Sequence, residues 1–169
     1  TSNKNPLNIL LKKFCHWFWN HYFLDRTHKK CDHIGLNYYF HTHFGPSLGF
    51  PKNDMGWNID AQGIYHMLVD LKRYKLPLYV TEAGIPDRND TIRPRYIKEL
   101  VQWTHQAIVD GADVRGFMYW SLTDNYELAH GYTQEFGLIH IDHATRARIV
   151  RPSALVYKTI CESNALTIE

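Results

Sequence analysis

Glu82 directly follows Leu78-Tyr79-Val80-Thr81, a short apolar and β-branched run that reads as a strand. A carboxylate there sits at the rim of a core, where it must be hydrogen-bonded or paired and where its pKa is open to tuning. Those are the requirements for a carboxylate nucleophile that forms a covalent intermediate. The position also suits a plain solvated glutamate ending a strand. A second strand end carries Asn37-Tyr38-Tyr39. Alternation puts Asn37 and Tyr39 on one face and Tyr38 on the other. A tyrosine hydroxyl reaching Glu82 would orient that carboxylate and hold it ionised. Two packed tyrosines and a turn-forming asparagine are the plainer account.

A third segment, Trp120 to Glu127, sets an indole beside Asp124, Asn125 and Glu127. A flat apolar plate beside carboxylates suits a sugar, whose CH face stacks on the plate while its hydroxyls donate to the acids. A core tryptophan followed by a capped turn would look the same. His41-Thr42-His43 aligns two imidazoles if the segment is a strand, but no nearby Asp, Glu or Cys completes a ligand set, so no metal is expected. Cofactor motifs are missing too: there is no Gly-rich phosphate loop and no Gly-x-Ser-x-Gly elbow.

The elements that must position these groups follow from periodicity. Leu7, Leu10, Leu11, Phe14, Trp17 and Phe18 recur at helical spacing on to Phe23-Leu24, and so many aromatics on one helix call for a cover. Ile34 to Tyr39 reads as a buried strand, and Phe44 to Ile59, with Gly45-Pro46, Gly49, Pro51 and Gly56, as a loop. Ile64, Leu68 and Leu71 mark a helix that stops before Pro77. A helix opens near Pro94 and closes at Gly111, and Val114 to Trp120 forms the third strand. Phe136 to Ile141 and Arg146 to Val150 read as a hairpin, and Pro152 opens a last helix. Strands alternating with helices give an α/β fold with parallel pairing and right-handed crossovers. In such sheets functional groups gather beyond the C-terminal strand ends, where the three segments above lie.

Composition bounds the reading. The 169 residues are 44% hydrophobic and 21% charged, with a net charge of only +2, which excludes a disordered chain and offers no basic stripe for nucleic acid. One domain over 1–169 is expected, although a closed (β/α)₈ barrel needs about 250 residues. Cys15, Cys31 and Cys161 are odd in number and far apart, which fits free thiols and a cytoplasmic location. No leader and no long apolar run is present, so neither secretion nor membrane insertion is expected. The chain begins Thr1-Ser2-Asn3 without Met, as expected of a processed chain or part of a longer product.

Three blocks, in order, resemble glycoside hydrolase family 1, the β-glucosidase and β-galactosidase family built on a (β/α)₈ TIM barrel. Asp32-His33-Ile34-Gly35-Leu36-Asn37-Tyr38-Tyr39 is similar to its sixth-strand block, and Leu78-Tyr79-Val80-Thr81-Glu82-Ala83-Gly84-Ile85 to its seventh. Trp120 to Glu127, with Gly131-Tyr132 and Phe136-Gly137-Leu138, is similar to its eighth, and Arg151 to Tyr157 resembles the tail of archaeal-type members. The resemblance implies a partial barrel: the last three βα units, strands 6 to 8, plus a β-hairpin and a C-terminal helix. It implies that Glu82 is the nucleophile of a retaining β-glycosidase and that Tyr39 hydrogen-bonds it. It matches Asn37 to the asparagine beside the reacting sugar and Trp120 to the platform beneath it. It matches Glu127 to the carboxylate gripping the outer hydroxyls, and Phe136 to an aromatic at the pocket edge. Phospho-β-glucosidases usually carry Ser at the Glu127 position, so unphosphorylated β-glycosides are the expected substrates.

The chain departs from the family pattern at Ala83, where Asn is usual, and at Leu128, where a Trp normally binds outer hydroxyls. The acid/base block Thr-x-Asn-Glu-Pro does not occur. The expected partner is therefore an N-terminal half of the barrel, or else a second copy of this chain. The competing expectation is a non-catalytic truncated or engineered fragment that binds sugar or scaffolds.

Overall fold

A computed structural model describes residues 2–46 and 48–166; Thr1, Ser47 and residues 167–169 of the expected 1–169 domain lie outside the described residues. β1 (Ile34–Tyr38), β2 (Leu78–Ala83) and β3 (Val114–Tyr119) form a parallel sheet in the order β1-β2-β3. The crossovers carry α3 (Gly63–Leu71) and α4 (Arg93–Val109). This is the expected α/β alternation.

β1 alternates buried and exposed residues along its length. Ile34, Leu36 and Val80 point into a core shared with Ile64, Leu68 and Leu100 of the two crossover helices. Leu68 and Leu100 are both 0% exposed. Truncating either to Ala would cost about 2–5 kcal/mol, because the lost transfer energy adds to that of the cavity left behind. The opposite sheet face carries Gly35, Asn37, Thr81 and Met118 and is exposed. Among the described residues the sheet is thus covered on one side only, and both β1 and β3 are edge strands.

The hairpin is shorter than its expected span: β4 (Ile139–Ile141) pairs antiparallel with β5 (Arg148–Val150). Asp142 closes its turn by accepting from the backbone N–H groups of Ala144 and Thr145. α5 (Pro152–Ser163) follows and packs Val156, Tyr157 and Ile160 against Ile97, Tyr119 and Leu138.

The N-terminal helix differs from expectation. α1 (Pro6–Asn20) starts under an Asn5 cap, whose side chain accepts from the Leu7 N–H at 2.9 Å, but it stops at Asn20. The short α2 (Leu24–Thr27) follows. The break lies at His21, which is 1% exposed and drawn inward by polar partners on distant elements. Its N–H and that of Tyr22 both bond the Trp17 carbonyl, which tightens the chain into a turn. No residue of α1 is buried, and Leu10, Phe14, Trp19 and Phe23 stand exposed. The face expected to need a cover has none among the described residues.

Candidate active site

The three strand ends meet. Asn37 of β1 stands opposite Glu82 of β2 in the strand register, and the Trp120 N–H donates to the Ala83 carbonyl at 3.0 Å. Gly84 makes that approach feasible, because a Cβ there would lie 1.8 Å from the Trp120 carbonyl oxygen. The Trp120–Ser121 peptide is cis.

The Tyr39 hydroxyl donates to Glu82 Oε2 at 2.6 Å. Burial first, and then the Glu82 carboxylate, push the Tyr39 phenol well above its ordinary 10.0, so it remains a donor. The nearby Glu127 charge adds to that rise. Asn37 Oδ1 accepts from Thr81 Oγ1 at 2.7 Å on the open sheet face.

Glu127 is held by two donors on one oxygen. Trp120 Nε1 reaches its Oε1 at 3.2 Å and Asn125 Nδ2 reaches it at 2.6 Å, leaving Oε2 for another donor. The loop carrying them is fastened from below. Asp124 Oδ1 accepts from the Gly137 N–H and from Arg151 Nη1, and its Oδ2 meets His140 Nδ1. Burial opposes the Asp124 charge, but Arg151, the Gly137 N–H and His140 outweigh it and hold the carboxyl below its usual range. Arg151 also bonds Glu135 at 2.5 Å. Asp124, Glu135 and His140 could by type hold a metal ion, but a guanidinium already occupies the space between the two carboxylates.

Phe136 is 1% exposed and lies edge-on to Tyr39, with centroids 6.0 Å apart. Trp57 joins them, 6.0 Å from Tyr39 and 6.3 Å from Phe136. Trp57 lies in the loop after β1, where no strand or helix period marks it in the sequence. The same loop walls a cleft of about 360 Å³ that includes Phe40, His41, Trp57 and Asn58. His41 and His43 are not on a strand, and His41 has the acidic partner thought missing: its Nδ1 meets Asp60 Oδ2 at 2.6 Å. Asp60 also accepts from Tyr38 through its backbone carbonyl, so the pair is a loop anchor. Ala83 is buried beside Glu82, whereas Leu128 is 82% exposed beside Glu127.

A carboxylate oriented by a phenol, an indole bonded to a second carboxylate, and a ring of aromatics form a site suited to a polyhydroxylated ligand. The chain belongs to glycosyl hydrolase family 1, whose sequence model matches residues 10–166. It is 47% identical over 122 residues to a β-galactosidase of Saccharolobus solfataricus, covering 72% of this chain and 25% of that protein. A β-galactosidase of Sulfolobus acidocaldarius is 38% identical over 162 residues, covering 83% of this chain and 33% of that protein. The crystal structure of a hyperthermophilic β-glucosidase from Pyrococcus furiosus superposes with a TM-score of 0.90 at 31% identity, covering 99% of this chain and 40% of that one. The chain thus spans a quarter to two-fifths of the length of these relatives. Among the described residues no helix is long and apolar enough to cross a membrane.

Proposed function

We propose that this chain supplies the nucleophile and part of the sugar subsite of a retaining β-glycosidase acting on unphosphorylated β-glucosides or β-galactosides. In this reading β1, β2 and β3 are strands 6, 7 and 8 of a (β/α)₈ barrel and the chain folds as one domain of it. Glu82 attacks the anomeric carbon and forms a glycosyl-enzyme ester as the aglycone leaves. Tyr39 keeps the attacking carboxylate aimed and ionised. Asn37 faces the reacting sugar, Trp120 stacks under it, Glu127 accepts from its outer hydroxyls, and Phe136 closes the edge. The observation that carries the reading is the 2.6 Å Tyr39–Glu82 hydrogen bond between adjacent strand ends of a family 1 chain.

The mechanism needs a second carboxyl group about 5–5.5 Å from the nucleophile, to protonate the leaving oxygen and then deprotonate water. Glu127 is bound to Trp120 and Asn125 and serves as a ligand for hydroxyls, so the acid comes from elsewhere. An N-terminal half of the barrel supplies it. That half would also pair the two open strand edges and cover the apolar side of α1, both of which cost free energy when left in water. Without the acid, turnover falls by about 10²–10⁴-fold.

The test is complementation. The chain is co-expressed with an N-terminal segment carrying Thr-x-Asn-Glu-Pro, and aryl β-glucoside hydrolysis is followed. A 2-fluoroglycoside should then add one sugar to Glu82 by peptide mass mapping, and Glu82→Gln should abolish both signals. A label on another residue, or unchanged turnover in Glu82→Gln, overturns the assignment.

A further inference from the structure

Away from the strand ends, His16, His21 and Asp70 converge where the end of α1 meets α3. We propose that these three side chains form a binding site for a zinc-type divalent cation that clamps α1 onto α3. The inference is independent of the glycosidase reading. His16 Nε2 and His21 Nε2 lie 2.7 and 2.6 Å from the same oxygen, Asp70 Oδ2, and 3.3 Å from each other. Two nitrogens bound to one tetrahedral zinc at about 2.0–2.1 Å stand roughly 3.3 Å apart, so the nitrogen pair already has the spacing of a ligand edge. Asp70 needs only to withdraw by roughly half an ångström to complete a third corner.

The hydrogen bonds around His21 give a second argument. The Tyr74 hydroxyl has one proton and lies 2.8 Å from Asp25 Oδ1, a carboxylate oxygen that can only accept. Tyr74 therefore accepts from His21 Nδ1, 2.8 Å away on its other side. His21 Nδ1 is thereby turned to Tyr74, and Nε2 is the nitrogen that faces the Asp70 carboxylate. The Asp25–Tyr74–His21 chain is also the outer support that metal-bound imidazoles use to fix ring orientation and tautomer. Asn20 lies 3.0 Å from His16 Nδ1, and its amide oxygen, turned to that nitrogen, would accept the Nδ1 proton and free Nε2 for the ion. Arg73 holds the other Asp70 oxygen at 2.5 Å, leaving Oδ2 for the ion.

Two imidazoles and one carboxylate suit zinc, cobalt or nickel rather than magnesium or calcium. His16 is 40% exposed, so the fourth position opens to water. The ion would join a helix that buries none of its residues to one that forms the core.

The experiment titrates the full chain with cobalt(II) and follows the visible d–d bands, then displaces cobalt with zinc. We expect one ion per chain, bands of four-coordinate intensity, their loss with zinc, and a rise in Tm on adding zinc. His16→Gln, at a half-exposed position that spares the core, should weaken binding about tenfold or more, as should Tyr74→Phe through the outer support. His140→Gln, in the cluster with Asp124 and Glu135, should bind as wild type does. Absence of four-coordinate bands overturns the proposal. So does wild-type affinity in His16→Gln.

Discussion

Asp124 and Arg151 meet as a buried ion pair, Oδ1 to Nη1 at 2.9 Å, with side chains 4% and 7% exposed. The pair ties the start of α5 to the loop that carries Trp120 and Glu127. It is a structural fastening placed directly beneath a binding surface.

Arg151→Leu removes the guanidinium and leaves Asp124 buried without its main partner. We expect a loss of about 3–5 kcal/mol at pH 7 by urea unfolding, since breaking one side of a buried pair leaves an uncompensated charge. The native Asp124 carboxyl is held below its unfolded value, so its contribution is complete above the unfolded pKa and fades as pH falls through the native one. The gap between wild type and Arg151→Leu should therefore narrow below about pH 4. A gap constant with pH would assign the effect to packing alone.

Tyr39→Phe keeps the ring contacts with Phe136 and Trp57 and removes only the hydroxyl at Glu82. A hydrogen bond to a charged group is worth about 1.5–3 kcal/mol, so kcat of the complemented enzyme should fall by roughly 10- to 150-fold. Steady-state kinetics on an aryl β-glucoside measures it, and KM should change little. An unaltered kcat would remove Tyr39 from the catalytic machinery.

Trp120→Phe retains a stacking plate and deletes the N–H that reaches Glu127. The acceptor is a carboxylate, so loss of this donor, about 1.5–3 kcal/mol, should raise KM or an inhibitor Kd by roughly 10- to 150-fold. Competitive inhibition by glucose reads this directly. A larger effect on kcat than on KM would give the indole a different role.

Gly84→Ala places a methyl group within the Trp120 backbone, which can yield only by moving the strand end. Overpacking of that kind costs about 1–3 kcal/mol, and the shift should also weaken inhibitor binding. Chemical unfolding and the inhibition assay together test this, and full stability with full affinity would contradict the geometry.

Much of the sheet and its site candidates was legible because the relevant signals are local. Val80 and Leu36 announce buried strands by type, and the residues after them are by position the ones at the sheet's end. What was not legible depends on groups distant in sequence. The helix pattern runs unbroken from Leu7 to Leu24, and nothing local reveals that Tyr74 and Asp70 draw His21 inward and end the helix at Asn20. His41 looked partnerless because Asp60 lies nineteen residues further on, across a loop of glycines and prolines. Trp57 reaches the Tyr39 and Phe136 rings by the same loop, whose course periodicity does not describe.

The two sheet edges that are unpaired among the described residues have a consequence for assembly. In the proposed barrel they belong to one ring, so an incoming segment must satisfy both at once or leave a row of backbone amides unmatched. Association would then behave as a single closure event: a complement one strand too short would leave a gap instead of binding somewhat less tightly.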